Sequence, residues 1–375
     1  MNPVVTDLLE RSLTVILQNQ QPGGAYLACP VMPDYQFSWF RDGAYIAYAL
    51  TVDGLKTSAD HNYSMAAQWE SAYKFHSWCA ERVNEREASL AQAVASGLSG
   101  EQPAPQHRLN ARYRADGVEG PQEWPEFQLD GAGTWLWSLA EYLKATRFTP
   151  LPYEWERAVI TTAHYLAALW RFPCYDCWEE RGEDIHTSTL GAIYAGLKAV
   201  QVMIPELDFT ATCADIRAFV LEHCLTPAGE LAKSAGLDQI DANLLTVALP
   251  HGMFAADDPI MLRTLARIER DLLAVTGGLH RHVEDVYYGG GAWVLLDLWR
   301  AWYYVELGQR DTARQILAWV ESTADADGHL PEQVNTAMLA PEHYAPWVAE
   351  RGTIANPLLW THAMYLLVSR ELDPA

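Results

Sequence analysis

Residues 258–278 read DPIMLRTLARIERDLLAVTGG. Asp258 ahead of Pro259 marks a helix start. An aspartate at the N-cap accepts from the first free backbone N–H groups, and proline fits the first helical position, where no N–H is needed. Met261, Leu265, Ile268 and Leu272 follow at three- and four-residue steps with charged residues between them, the pattern of a helix with one apolar face. Gly277-Gly278 closes it, because glycine readily takes the left-handed conformation in which helices end. The same periodicity recurs at about 5–20, 41–54, 60–83, 130–146, 153–171, 187–204, 209–224, 241–253, 290–307, 311–325 and 356–371, with Asp311 read as a further N-cap and Gly308 as a further stop. Alternating β-branched runs are nearly absent, so the expected fold is all-α. Together with 258–275 these segments make twelve helices, hence six helical hairpins. One single domain is expected over residues 1–375, with an irregular, polar insert at about 84–125, Pro-rich around EQPAPQ, part helix and part loop.

Several stretches between the helices are not polar filler. FSWFRDG (37–43), EFQLDGAG (126–133), CWEERG (177–182), GLDQIDAN (236–243) and HRHVEDVYYGGG (280–291) combine charge with aromatic residues or glycine, and LPEQVN (330–335) sets a glutamate behind a proline. After the insert they recur about every fifty residues, one per hairpin. If the hairpins close into a ring with like connections on one side, all six stretches meet at one mouth and line a shared pocket.

Composition narrows the function. The 375 residues carry a formal charge of −22, which argues against a nucleic-acid partner, since phosphate binding needs concentrated Lys and Arg. No apolar run is long enough to span a bilayer, and MNPVVTDLLERSLTVILQNQ lacks the basic start and small-residue cleavage site of a signal peptide; the expectation is a soluble, cytoplasmic protein without a membrane partner. The sequence says nothing about oligomeric state. Six cysteines are sparse for a disulfide scaffold, and Cys174-x-x-Cys177 lacks a second pair to complete a metal site, so free thiols and no metal are expected. The glycine run 289–291 is too short for a phosphate loop and lacks its lysine; no cofactor is expected. Fifteen tryptophans and eighteen tyrosines mostly serve the core, but flat aromatic faces also suit a sugar pocket.

Arg41-Asp42 after Trp39 reads either as an Asp cap beside a surface arginine or as a fork of charged hydrogen bonds on neighbouring sugar hydroxyls. Gln128 and Asp130 admit the same two readings, and Arg281 before Glu284-Asp285 is either a surface ion pair or part of the site. In CYDCWEERGEDIH (174–186), Glu179 directly follows Trp178, and an apolar neighbour suits a carboxyl to proton donation. Glycoside hydrolysis needs one such group to protonate the leaving oxygen and a second carboxylate to handle water. Glu332, after Pro331, is the second candidate.

Trp39-Phe40-Arg41-Asp42, Gln128-Leu129-Asp130-Gly131, Trp178-Glu179, Arg281 with Tyr287-Tyr288 and Trp293, and Glu332-Gln333 stand in the order found in glucoamylase-like enzymes. From about residue 25 to 370 the chain resembles glycoside hydrolase family 15 (isomaltose glucohydrolase, glucoamylase or glucodextranase type). The resemblance implies an (α/α)6 toroid with the active site at one mouth. It implies that Glu179 is the general acid and Glu332 the general base, and that Arg41 and Asp42 hold the 4- and 6-hydroxyls of the terminal glucose with Arg281 on its other side. It further places Tyr35 near the base and its water, Trp39, Trp178 and Trp360 as pocket walls, and Glu180 towards the leaving sugar. The expected activity is inverting, exo-acting hydrolysis of short, neutral α-gluco-oligosaccharides, α-1,6-linked isomaltose ahead of α-1,4 glucosides or trehalose. A sugar epimerase on the same toroid would need paired histidines, for which His280 and His282 are the candidates, and a non-catalytic scaffold would need neither glutamate.

Overall fold

A computed structural model describes residues 3–58, 67–120 and 123–372. Thirteen α-helices are described: α1 (Pro3–Gln18), α2 (Phe40–Ser58), α3 (Ala67–Glu85), α4 (Glu87–Leu98), α5 (Asp130–Thr146), α6 (Tyr153–Leu169), α7 (Thr187–Met203), α8 (Thr210–His223), α9 (Pro259–Leu272), α10 (Val294–Glu306), α11 (Arg310–Ser322), α12 (Tyr344–Arg351) and α13 (Leu359–Leu372). A 3-10 segment, Ala242–Val247, completes the set. Contacts run α13–α2–α5–α7, through the 3-10 segment to α10, and back to α13, which is a closed inner ring. The outer elements α1, α3, α6, α8, α9 and α11 alternate with the inner ones along the chain, so the architecture is a toroid of six hairpins.

Position in the ring explains the sequence patterns. Outer helix α9 buries only one face (Met261, Thr264, Leu265, Ile268 and Leu272), and Asp258 caps it as expected, accepting from Ile260 N–H at 2.8 Å. Inner helices are packed on several sides, and α10 is buried continuously from Val294 to Tyr304. Gly133 on α5 and Gly196 on α7 permit close approach: a β-carbon at Gly133 would lie 2.4 Å from the Ala192 carbonyl oxygen, and one at Gly196 2.7 Å from that of Gly133. Among the described residues, aromatic side chains fill the centre of the ring. Tyr45 stacks on Trp360 at 5.1 Å and meets Trp299 at 5.9 Å, while Tyr48 lies 4.5 Å from Trp137 and 6.0 Å from Trp302, an aromatic plug contributed by four inner helices.

Several expected elements differ. Of the expected helix 241–253 only Ala242–Val247 is helical, as a 3-10 segment, and Pro250, which lacks a donor and whose ring blocks the preceding turn, bars its continuation. Asp311 is not an N-cap: α11 starts at Arg310, and Asp311 accepts from Arg314 Nη1 at 2.9 Å. The expected helix at 60–83 is helical from Ala67 onward, and residues 60–66 lie outside the described residues. Helix α12 was not anticipated. The insert contributes α4 and a short strand, β2 (Arg112–Arg114), antiparallel to β1 (Phe37–Trp39) with Trp39 opposite Arg112. A second small sheet pairs β3 (Ala292–Trp293) with β4 (Gln333–Val334). No helix among the described residues is long and apolar enough to cross a membrane.

Candidate active site

All six motif-bearing stretches precede inner-ring elements and therefore come to the same mouth. Four of them (37–43, 177–182, 280–291 and 330–335) wall a cavity of about 460 Å³ lined by Tyr35, Trp39, Arg41, Asp42, Trp178, Glu179, Glu180, Arg281, Glu332 and Trp360 among others, whereas no residue of 126–133 or 236–243 lines it. The aromatic plug lies behind Trp360, so the cavity opens at the mouth.

Glu179 is held by the loop around it. Asp176, fully buried, accepts from Trp178 N–H and Glu180 N–H, both at 2.9 Å, which folds residues 176–180 into a tight turn. Glu179 takes φ +68°, a conformation that non-glycine residues seldom adopt and that is found preferentially at functional sites. Its Oε1 accepts three N–H donors, from Trp39 Nε1 (2.8 Å), Trp124 Nε1 (2.8 Å) and Gln128 Nε2 (3.0 Å). A proton on this carboxyl therefore belongs on Oε2.

Glu332 has a different environment. Only 3% exposed, it receives a hydrogen bond from Tyr35 O–H on Oε1 at 3.0 Å, and Tyr35 is itself 3.0 Å from the Tyr287 hydroxyl. Glu332 Oε2 is buried with no partner. Burial pushes this carboxyl up to about 8, despite the opposing effects of the Tyr35 hydrogen bond and the Arg281 charge. Asp42 is likewise raised, to about 6, by burial, and its Oδ2 has no hydrogen-bond partner although Arg41 Nε stands 3.5 Å away. Asp42 lies within the first turn of α2 and is not its cap. Two unpartnered buried carboxylate oxygens leave a ligand rich in hydroxyl donors with acceptors to satisfy.

Arg41 is buried rather than a surface residue. Its Nη1 donates to Gln128 Oε1 (2.8 Å) and Asp130 Oδ2 (3.1 Å). Gln128 and Asp130 thus stand behind the cavity wall, positioning Arg41 and Glu179, and neither lines the cavity. Arg281 is no surface pair either. It donates to both Asp285 oxygens (2.9 and 2.5 Å), lies over Trp293, Trp178 and Tyr287 at 5.0–5.4 Å, and meets Glu180 Oε1 at 3.1 Å. Burial alone would raise Glu180, but the hydrogen bond with His282 and the charges of Arg281 and Lys233 hold it well below the usual carboxylate range.

Sequence reasoning missed Trp124, at the end of the insert, whose donation to Glu179 had no signal beyond an aromatic residue in a polar stretch. It also missed Lys233, which lies 3.1 Å from Asp241 and 3.5 Å from Glu180, and the lining residues Asp34, Trp347 and Arg351. His280 and His282 do not line the cavity. His280 Nδ1 is taken up by the Gly290 carbonyl at 3.0 Å and His282 by Glu180 at 2.9 Å, which leaves the epimerase reading without its acid–base pair. All six cysteines are free. Among the described residues, Asp325, Asp327 and His329 have ligand atoms close enough to share a metal. They lie away from the cavity, and Asp325 Oδ1 already accepts from the N–H groups of Asp327 and His329.

Residues 5–370 match the family described as "Glycosyl hydrolases family 15". The chain belongs to this family. It is a glycoside hydrolase, 36% identical over 372 residues to the isomaltose glucohydrolase of Kribbella flavida, an alignment covering 98% of this chain and 92% of that one. A glycosidase variant solved in complex with glucose superposes with a TM-score of 0.90 at 35% identity, covering 99% of this chain and 97% of the other. The glucoamylase of Saccharomycopsis fibuligera shares the fold, with a TM-score of 0.74 at 15% identity over 98% of this chain and 94% of its own.

Proposed function

We propose that this family 15 enzyme is an inverting, exo-acting α-glucosidase that releases β-glucose from the non-reducing end of short α-glucosides, α-1,6-linked isomaltose foremost. The observation that carries the proposal is that Glu179 and Glu332 line one blind cavity in unlike surroundings, one oxygen of Glu179 saturated by donors and one of Glu332 free. Glu179 Oε2 delivers a proton to the glycosidic oxygen as the bond to the anomeric carbon breaks. Glu332 takes a proton from the water that attacks the opposite face, and its raised proton affinity makes it a strong base once ionised. Arg41 and Asp42 hold hydroxyls of the terminal glucose, Tyr35 stands beside the base, and the tryptophans pack on sugar C–H faces. A blind pocket takes chain ends, which makes the action exo. The isomaltose preference draws on the activity named for the Kribbella flavida relative, with α-1,4 glucosides and trehalose as the runners-up.

One observation favours a second reading in which the two glutamates exchange roles: the carboxyl raised to about 8 is Glu332. Turnover of α-glucosyl fluoride separates the two, because fluoride leaves without protonation. Glu179→Gln is expected to lose disaccharide hydrolysis and keep fluoride hydrolysis; if Glu332→Gln shows that behaviour instead, the roles are reversed. Glucose release from isomaltose, maltose, nigerose, kojibiose and trehalose ranks the linkages. Proton NMR in the first minutes, before mutarotation, should show the β-anomer. An initial α-anomer would mean a covalent intermediate and would overturn the inverting mechanism.

A further inference from the structure

Helix α12 lies outside the six-hairpin ring and packs chiefly on the turn at 287–289 and the turn just before it. Trp347 sits edge-on to Tyr287 at 4.9 Å and stacks on Tyr288 at 5.9 Å, and the Tyr288 hydroxyl donates to the Gly352 carbonyl at 3.0 Å. The last residue of α12, Arg351, lies over Trp347 and donates from Nη1 to Asp34 Oδ2 at 2.7 Å. Asp34 belongs to the turn leading into β1, so this single pair joins segments 317 residues apart. Asp34, Trp347 and Arg351 line the same cavity as Glu179 and Glu332. They form its outer part: the Asp34 and Arg351 side chains are 36% and 31% exposed, whereas Glu332 is almost wholly buried.

We propose that α12, fastened by the Arg351–Asp34 pair, is a strap over the outer cavity that selects disaccharides by denying room to a third sugar unit. This rests on the hydrolase reading above and names the length of its substrate. A chain entering by its non-reducing end places the first ring against Arg41 and Asp42 and the second towards the rim. A third ring has to pass between Trp347 and residues 33–35, where the guanidinium and carboxylate are engaged with each other. A half-exposed ion pair is a weak fastening, so longer chains are slowed and not refused. Such a pair is also screened by salt, while a neutral sugar is not. Length selectivity therefore depends on ionic strength.

The test compares kcat/KM for isomaltotriose with kcat/KM for isomaltose. The ratio of the longer to the shorter sugar is expected to rise about three- to fivefold in Asp34→Asn, in Arg351→Gln and in Trp347→Ala, the size set by a weak exposed pair. The reversed double variant Asp34→Arg/Arg351→Asp is expected to return towards the wild-type ratio. Raising salt should increase the ratio in the wild type and leave Asp34→Asn unchanged. A ratio indifferent to all these changes overturns the strap. So does a fall, which would make these residues binding contacts for the third unit. If the wild type releases glucose from no disaccharide, it is the hydrolase reading that fails, and the strap is then judged by tryptophan-fluorescence titration with the same two sugars. A gain in relative trisaccharide affinity in Asp34→Asn supports it, and no gain overturns it.

Discussion

Glu332→Gln should make the protein more stable, by an amount that grows with pH. The carboxyl is raised from 4.5 to about 8, chiefly by burial. The sign follows from linkage: the folded protein holds this proton more tightly than the unfolded chain does. Below pH 4.5 both states are protonated and the group costs nothing. As pH rises towards 8 the unfolded chain ionises freely while the folded state resists, so stability is lost. The gap of roughly 3.5 pH units at about 1.36 kcal/mol each corresponds to about 5 kcal/mol in full, of which about 3 kcal/mol is expressed by pH 7. Glutamine keeps the shape and carries no charge, so it escapes this cost, and any change in its bond with Tyr35 adds only a pH-independent offset. With about 2.1 cal/mol/K of unfolding entropy per residue over 375 residues, 3 kcal/mol corresponds to a Tm rise of about 4 °C. Unfolding midpoints of both proteins, followed from pH 4.5 to 7.5, check this. A difference that stays constant across the range, or one in which the wild type gains as pH rises, refutes the burial argument.

Glu179→Gln is expected to lower kcat on an unactivated disaccharide by roughly 10²–10⁴, the usual contribution of a general acid, with substrate still bound; near wild-type turnover contradicts the assignment. Because the base must be ionised and Glu332 is raised to about 8, kcat/KM should fall as pH drops through a limb displaced upward from 4.5, and a limb at or below 4.5 argues against a buried base. Trp124→Phe removes one of three donors to Glu179 Oε1 and should lower kcat more than it raises KM, measured by steady-state kinetics; an effect on KM alone would make Trp124 a binding wall only. Activity should survive dialysis against EDTA, and its loss would point to a metal requirement.

Much of the fold was legible because outer helices advertise themselves: a helix solvated on one side and packed on the other, such as α9, writes its boundary into a 3.6-residue pattern. Helix α12 was not legible, since it spans only eight residues and its short apolar face, Tyr344, Trp347 and Val348, is only partly buried. The 3-10 segment at 242–247 was overread as a helix because a fully buried stretch is apolar whatever its geometry. Site residues that matched ordered motifs, such as Arg41, Glu179 and Glu332, could be picked out along the chain. Their environments could not. Whether a carboxylate oxygen is saturated or orphaned depends on donors brought from far away, as Trp124 reaches Glu179 across 55 residues and Tyr35 reaches Glu332 across 297. The same holds for Gln128 and Asp130, which belong to the support of Arg41, and for Asp34 and Arg351, which meet only when the ring closes. Periodicity thus determined the helices and the hairpin count, because local backbone preference and one-sided burial act over a few residues, and the ordered motifs of the family resemblance pointed to the candidate carboxyls. Tertiary structure alone decided which groups are desolvated, which are paired and how far the cavity extends, because desolvation and charge pairing are set by neighbours in space.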